Sequence, residues 1–156
     1  EILTVLALCP QGMSLDALHQ AIYGERKVSQ GTLKTEMSQL RDTLTGLLGS
    51  RPYRLLMPID GDFLRVEQSL NAGYLEAAIK LYTGIFFSKT ESPFLCTWRT
   101  CLEARLSQAI YHSDQVDLLL MHLSNCPDAS DAIERLIELM PDNLSIHQHL
   151  EVLSNR

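Results

Sequence analysis

Apolar positions recur every three or four residues along most of the chain, and one short stretch breaks that rhythm. Residues 1–9, EILTVLALC, are almost wholly apolar and predict a short buried helix stopped by Pro10 and Gly12. Ser14 suits the N-cap of a second helix with Leu15, Leu18, Ile22 and Ala21 on its inner face. Gly24 ends it, because glycine tolerates the left-handed turn that closes a helix. After the polar loop ERKVSQG, Ser29 or Thr32 caps a third helix running to about Leu48. Its stripe is Leu33, Met37, Leu40, Leu44 and Leu47 or Leu48, and Gly49 closes it. The period then changes. In RPYRLLMPIDGD two prolines bracket the extended run Tyr53–Met57, which predicts a small strand or hairpin.

From Asp62 onward the helical period returns. Asp62 caps FLRVEQSLNAG, Gly73 separates it from YLEAAIKLYTG, and Ser92 followed by Pro93 opens a helix to about Tyr111. Asp114 opens QVDLLLMHLSN, Asp128 or Ser130 opens DAIERLIELM before Pro141, and Asn143 or Ser145 opens a last helix to about Leu153. Links this short make helical hairpins. LNAGYLEAAIKLYTG and DASDAIERLIELMPDN share the look of tetratricopeptide-type helix pairs, with small residues where helices cross. The expectation is a mainly α fold in two parts. Residues 1–60 form a winged helix-turn-helix with a short β wing, and residues 61–156 form a tetratricopeptide-like bundle that serves as an interaction domain.

Composition and charge sharpen this picture. With 46% hydrophobic and 21% charged residues, the chain is globular rather than disordered. No apolar run approaches the roughly 20 residues of a membrane span. The opening residues lack a signal peptide's basic region and there is no initiator Met, so the expectation is a piece of a longer chain. Four cysteines without a C-x-x-C pair fit a reducing cytoplasm. A net charge of −6 argues against a protein that coats nucleic acid. The distribution says more. Residues 26–54 hold six basic and two acidic side chains, a local charge of +4 on an acidic chain.

That basic stretch contains the third helix. At about 100° per residue, Lys34, Ser38, Arg41 and Thr45 align along one flank, with Thr32, Thr35, Gln39 and Asp42 on the outer arc beside them. A helix fits the major groove of B-DNA, where Lys and Arg meet phosphate or guanine, Gln pairs with adenine, and Ser or Thr approaches closely. The candidate DNA-binding residues are Thr32, Lys34, Thr35, Ser38, Gln39 and Arg41 on a recognition helix of about 30–48. Arg51, Tyr53 and Arg54 join them from a wing of about 50–57, reaching the flanking backbone or minor groove.

The segment TLKTEMSQLRDTLTGLLGSRPYRL resembles the recognition helix and wing of response-regulator-type winged helices, most closely in Leu33, Met37, Leu40 and Arg41. DFLRVEQSLNAGYLEAAIKLYTGIFFSKTESPFLCTWRTCLEARL resembles the helical domain that follows such winged helices in bacterial transcriptional activators. The whole order is similar to the C-terminal part of bacterial regulators that carry a GAF sensor domain upstream. The resemblance implies sequence-specific binding of double-stranded DNA in transcription regulation. It implies a second copy of the chain, or the transcription machinery, as partner of the helical half. It also implies N-terminal strands that are missing here, so that another chain could cover the exposed side of the three helices. Several outward positions that are commonly Arg in that family are Gly31, Ser38 and Gln39 here, and Glu36 is acidic, which implies modest affinity for a single copy.

Other chemistry finds little support. No phosphate-cradling glycine loop, nucleophile elbow or H-E-x-x-H occurs, so neither an enzyme nor a bound cofactor or metal is expected. His147 and His149 sit two apart on a helix and point away from one another. Cys96 and Cys101 read as core or boundary residues, Cys9 and Cys126 as structural, and Trp98 and Tyr111 as core anchors. His112 and His122 lie in the range that titrates near neutral pH. The Phe86–Phe87 pair reads as a plug between helical hairpins or as an exposed contact. The rival reading is a protein-interaction module, in which the winged helix docks protein rather than DNA. The acidic net charge favours it.

Overall fold

The computed structural model describes residues 1–141 of the 156. Among these the chain is mainly helical, with one small antiparallel sheet. In chain order the elements are α1 (Ile2–Leu8), α2 (Leu15–Tyr23), α3 (Gln30–Thr43), β1 (Leu48–Ser50), β2 (Tyr53–Leu55), α4 (Asp62–Asn71), α5 (Leu75–Leu81), α6 (Pro93–Tyr111), α7 (Val116–Asn125) and α8 (Ser130–Leu139). The last expected helix, with His147 and His149, lies outside the described residues.

The chain divides into two compact units. One is Glu1–Asp60 with Phe87–Arg99, and the other is Gly61–Phe86 with the described residues from Thr100 onward. The first unit is therefore not a continuous stretch, and residues 93–99 of α6 belong to it. Sequence order alone had put 87–99 with the second half.

Local chemistry explains the helices of the first unit. The Ser14 hydroxyl accepts a hydrogen bond from the Ala17 N–H at 3.1 Å, and the Ser29 hydroxyl accepts one from the Thr32 N–H at 3.2 Å. Each satisfies a donor that the first turn would leave orphaned. Leu18, Ala21 and Ile22 of α2 are buried against Val5 and Leu6 of α1 and against Leu33 and Met37 of α3. Gly24 has φ +57°, and a Cβ there would stand 2.8 Å from the Pro93 ring, so the chain needs glycine at this point.

Helix α3 stops earlier than the apolar stripe suggests. Thr45 and Gly46 take positive φ angles of 49° and 85°, which turn the chain out of the helix. Leu48 then returns to the core as the first residue of β1. Gly49, expected to close the helix, lies within that strand, and Leu47 faces outward. Thr45 leaves the flank it was expected to share with Lys34, Ser38 and Arg41. The hairpin pairs Leu48 with Leu55, Gly49 with Arg54 and Ser50 with Tyr53. One side of it, Leu48, Tyr53 and Leu55, packs on the core, and strand alternation turns Arg54 to the other. The tip is Arg51 and Pro52, joined by a cis peptide bond. Tyr53 and Met13 exchange backbone hydrogen bonds of 2.8 and 2.9 Å, which tie the hairpin to the link between α1 and α2.

Residues 87–99 complete this unit. Leu95 is buried in its core, with Phe87 and Phe94 packed against it. Part of that core is thus covered by a later segment of the protein's own chain. Ser92 is fully buried. Its hydroxyl donates to the Ala21 carbonyl at 2.8 Å and accepts from the Leu95 N–H at 3.3 Å. Trp98, expected as a core anchor, is half-buried with its ring 5.9 Å from Phe87.

In the second unit α4 packs on α5, α7 on α8, and α5 on α7. Val66, Ile79, Leu102, Leu106, Leu119 and Leu136 lie at its centre. Asp62 opens α4 as its first residue, with Gly61 at the N-cap. Tyr111, the other expected anchor, is half-buried, and the Arg135 guanidinium lies 5.4 Å from its ring centre. Phe86 belongs to this unit and meets the Tyr82 ring edge-on at 5.3 Å. No helix among the described residues is long and apolar enough to cross a membrane.

Trp98 is the chain's sole tryptophan and sits in the first unit, so its fluorescence reports that unit's unfolding. In urea titrations Leu95→Ala is expected to lower stability by about 2–5 kcal/mol. Ser92→Ala is expected to lower it by about 1–2 kcal/mol through the lost cap and the stranded Ala21 carbonyl.

Candidate nucleic-acid interface

The stripe on α3 decides what the helix shows. Leu33 and Met37 are buried, Leu40 and Leu44 half-buried, and the residues between them turn outward. Thr32, Lys34, Thr35, Ser38 and Gln39 are all exposed on the helix, and Arg41 is half-buried. Arg51 and Arg54 are exposed on the hairpin, whereas Tyr53 is half-buried against the core.

Not all of these groups are free to meet a ligand. The Thr32 hydroxyl lies 3.1 Å from that of Ser29 within the cap. The Thr35 hydroxyl donates to the Gly31 carbonyl at 3.1 Å. Tyr53 spends its backbone on Met13 and its ring on the core. These three positions are occupied by structure. Lys34, Ser38, Gln39, Arg41, Arg51 and Arg54 have side chains without a hydrogen bond or ion pair among the described residues.

The contrast with several other cations is informative, although Lys27 and Lys89 are also without partners among the described residues. Lys80 pairs with Glu76 at 2.5 Å, and Arg135 pairs with Asp114 and with Glu138. Arg105 contacts Glu67 at 4.0 Å and Asn71 at 2.6 Å. Arg26, in the polar loop before α3, is a structural clamp. Its guanidinium donates to Glu91 at 2.7 Å, to the Ile22 carbonyl at 2.5 Å and to the Tyr23 carbonyl at 3.2 Å. The cations of α3 and the hairpin have no such commitments, so their field reaches solvent uncancelled by direct partners.

Two side chains shape this face without marking themselves in the sequence. The Tyr23 hydroxyl donates to Glu36 Oε2 at 2.6 Å, tying the one acid inside the α3 stretch that faces α2. Burial first, and then the Glu36 carboxylate, push the Tyr23 hydroxyl up to about 12. His19 Nε2 lies 2.8 Å from the Val28 carbonyl, so that nitrogen carries the proton and pins the loop before α3. Nothing in the spacing of Tyr23, Glu36 or His19 announces these bonds, because each joins separate elements.

Other candidate chemistry stays dispersed. Among the described residues no three His, Cys, Asp or Glu side chains gather as a metal site. Cys9, Cys96 and Cys126 are half-buried, Cys101 is exposed, and all are free thiols. Burial pushes the thiols of Cys9 and Cys126 above their ordinary range. His112 is exposed, while His122 is buried and held toward its neutral form by that burial.

Comparison with known proteins adds one relative. A Rhodococcus erythropolis protein, described as an uncharacterized 47.3 kDa protein in the thcA 5′ region, is 30% identical over 134 residues. The match takes in 85% of this chain, and the chain spans about 30% of that protein's length. No family profile matches the chain, and no solved structure matches it.

The Tyr23–Glu36 bond carries a pH signature. The ordinary tyrosine value is near 10, and the fold holds the proton to about 12. The bond's contribution is therefore complete below about pH 10 and is lost as pH rises toward 12. Tyr23→Phe is expected to cost about 1–2 kcal/mol at neutral pH. The gap between variant and parent should close in urea titrations taken up through that alkaline window.

Proposed function

We propose that residues 1–60, completed by 87–99, bind double-stranded DNA with sequence preference as a winged helix-turn-helix. In this reading α3 enters the major groove and the β1–β2 hairpin is the wing on the flanking backbone. The observation that carries it is the set of cations on α3 and the hairpin left without partners among the described residues, in an otherwise acidic chain. The order of elements supports it as well: a short capped turn between α2 and α3, then a hairpin directly after α3. Lys34, Arg41, Arg51 and Arg54 supply phosphate or guanine contacts, with Ser38 and Gln39 between them. Thr32, Thr35 and Tyr53 position the face rather than read bases.

We further propose that the second unit is a tetratricopeptide-like interaction domain, contacting a second copy or the transcription machinery. Pairing of α4 with α5 and of α7 with α8 supports this reading. The larger assignment, the DNA-contacting part of a cytoplasmic bacterial regulator with a GAF sensor, rests on the resemblance of residues 31–55 and 62–106. The Rhodococcus protein's greater length leaves room for such a sensor.

Selection from a random duplex pool with the intact chain, followed by anisotropy titrations on the enriched sequence, tests the DNA reading. Four phosphate contacts predict a slope of roughly −3 to −4 in log affinity against log salt. Arg41→Ala is expected to weaken binding by about 1–3 kcal/mol. Failure to enrich any sequence, or binding indifferent to salt, overturns the proposal. That result would favour protein docking, for which the exposed Leu47 (41%) and Leu56 (51%) next to the hairpin offer apolar contact. The Leu56 N–H donates to the Leu47 carbonyl at 2.9 Å, so the two residues are neighbours.

A further inference from the structure

The second unit contains a cavity of about 430 Å³ that DNA binding does not use. Three stretches build it. The chain leaving α5 supplies Tyr82 and Ile85, α6 supplies Glu103 and Leu106, and the end of α7 with the turn beyond it supplies His122 and Asp128. A volume in this range matches small-molecule sites, which run from roughly 300 to 1,000 Å³. The walls are pinned together. Asn125 Nδ2 donates to the Ile79 carbonyl at 3.0 Å and to the Tyr82 carbonyl at 3.2 Å, tying the end of α7 to the end of α5.

The polar groups of the wall select the ligand's charge. Glu103 and Asp128 line the cavity, and among the described residues no Lys or Arg does. The Tyr82 hydroxyl donates to Glu103 Oε1 at 3.0 Å, which orients that carboxylate. Burial first, and then the Glu103 charge, push the neighbouring Cys126 thiol up, away from the reactive thiolate. His122 is a second and independent sign of a ligand. It lines the cavity, is only 6% exposed, and its Nδ1 has no hydrogen-bond partner among the described residues. Buried polar atoms are rarely left so. Ile85, 62% exposed, adds an apolar surface on the same cavity.

We propose that this cavity binds a small organic ammonium compound. The carboxylates of Glu103 and Asp128 hold its cationic head, the His122 imidazole accepts a hydrogen bond, and Leu106 and Ile85 cover its apolar body. An anionic ligand meets two like charges and no cation, and a neutral one forgoes both carboxylates.

Titration of 2-phenylethylammonium into the ¹⁵N-labelled chain tests this, with 2-phenylethanol and 3-phenylpropionate as neutral and anionic counterparts. The expected result is saturable shifts at the amides of Glu103, Leu106, His122 and Asp128. The alcohol should bind roughly tenfold more weakly and the carboxylate not measurably. Asp128→Asn alters an exposed side chain, and Glu103→Gln retains an acceptor for Tyr82, so both variants keep the fold. Each should weaken the ammonium compound by roughly five- to tenfold. The proposal is overturned by any of three results: no saturable shift up to about 10 mM, the limit for so small a molecule; equal binding of the alcohol; or affinity unchanged in both variants. Loss of DNA binding leaves it untouched.

Discussion

Leu33 and Met37 must leave water, and most of what the first unit presents follows from that requirement. Burying each side chain is worth roughly 1.5–3 kcal/mol, enough to fix the rotation of α3 about its axis. Once that rotation is fixed, Lys34, Ser38 and Gln39 have nowhere to point but outward. The polar face is thus a by-product of the apolar one. What distinguishes it from an ordinary solvated surface is the company it keeps. Carboxylates elsewhere in the chain engage Lys80, Arg105 and Arg135, while two of those near α3 are drawn off to other duties and Asp42 stays exposed. Glu36 is held by Tyr23, and Asp16 accepts from Gln30.

How much of this was legible from the residues depends on the range of the interaction. Ser14, Ser29 and Gly24 act within one turn of their own helices, and their roles could be read directly. The stripe Leu33, Met37, Leu40, Leu44 was equally plain. Its continuation was not: Leu47 and Leu48 keep the helical spacing, but Thr45 and Gly46 turn the backbone before they are reached. A threonine with positive φ is uncommon, so the sequence offered little warning. The hairpin was legible as a change of period, although its anchoring to Met13 was not.

Side chains that bridge distant segments were the hardest to foresee. Arg26 resembled a loop cation until its partners Glu91, Ile22 and Tyr23 were in view. Ser92 was legible as a cap but not as a donor to Ala21. Of the nine candidate contact residues, six remain available; Thr32 and Thr35 are held by bonds within a turn of their own helix, and Tyr53 by a pairing with Met13 that spacing cannot reveal. The Glu103, His122 and Asp128 grouping escaped notice for the same reason, since α6 and the end of α7 meet only in the folded chain.

The discontinuity of the first unit bears on how the protein is made. A ribosome releases the chain from its amino end, and domains ordinarily fold in that order, one after another. Here α1, α2, α3 and the hairpin emerge while Ser92 and Leu95 are still to be translated. All of α4 and α5 must come out before the segment that finishes the earlier core. During synthesis the residues up to Asp60 wait half-built, with apolar surface open to chaperones, until residues 87–99 have cleared the exit tunnel.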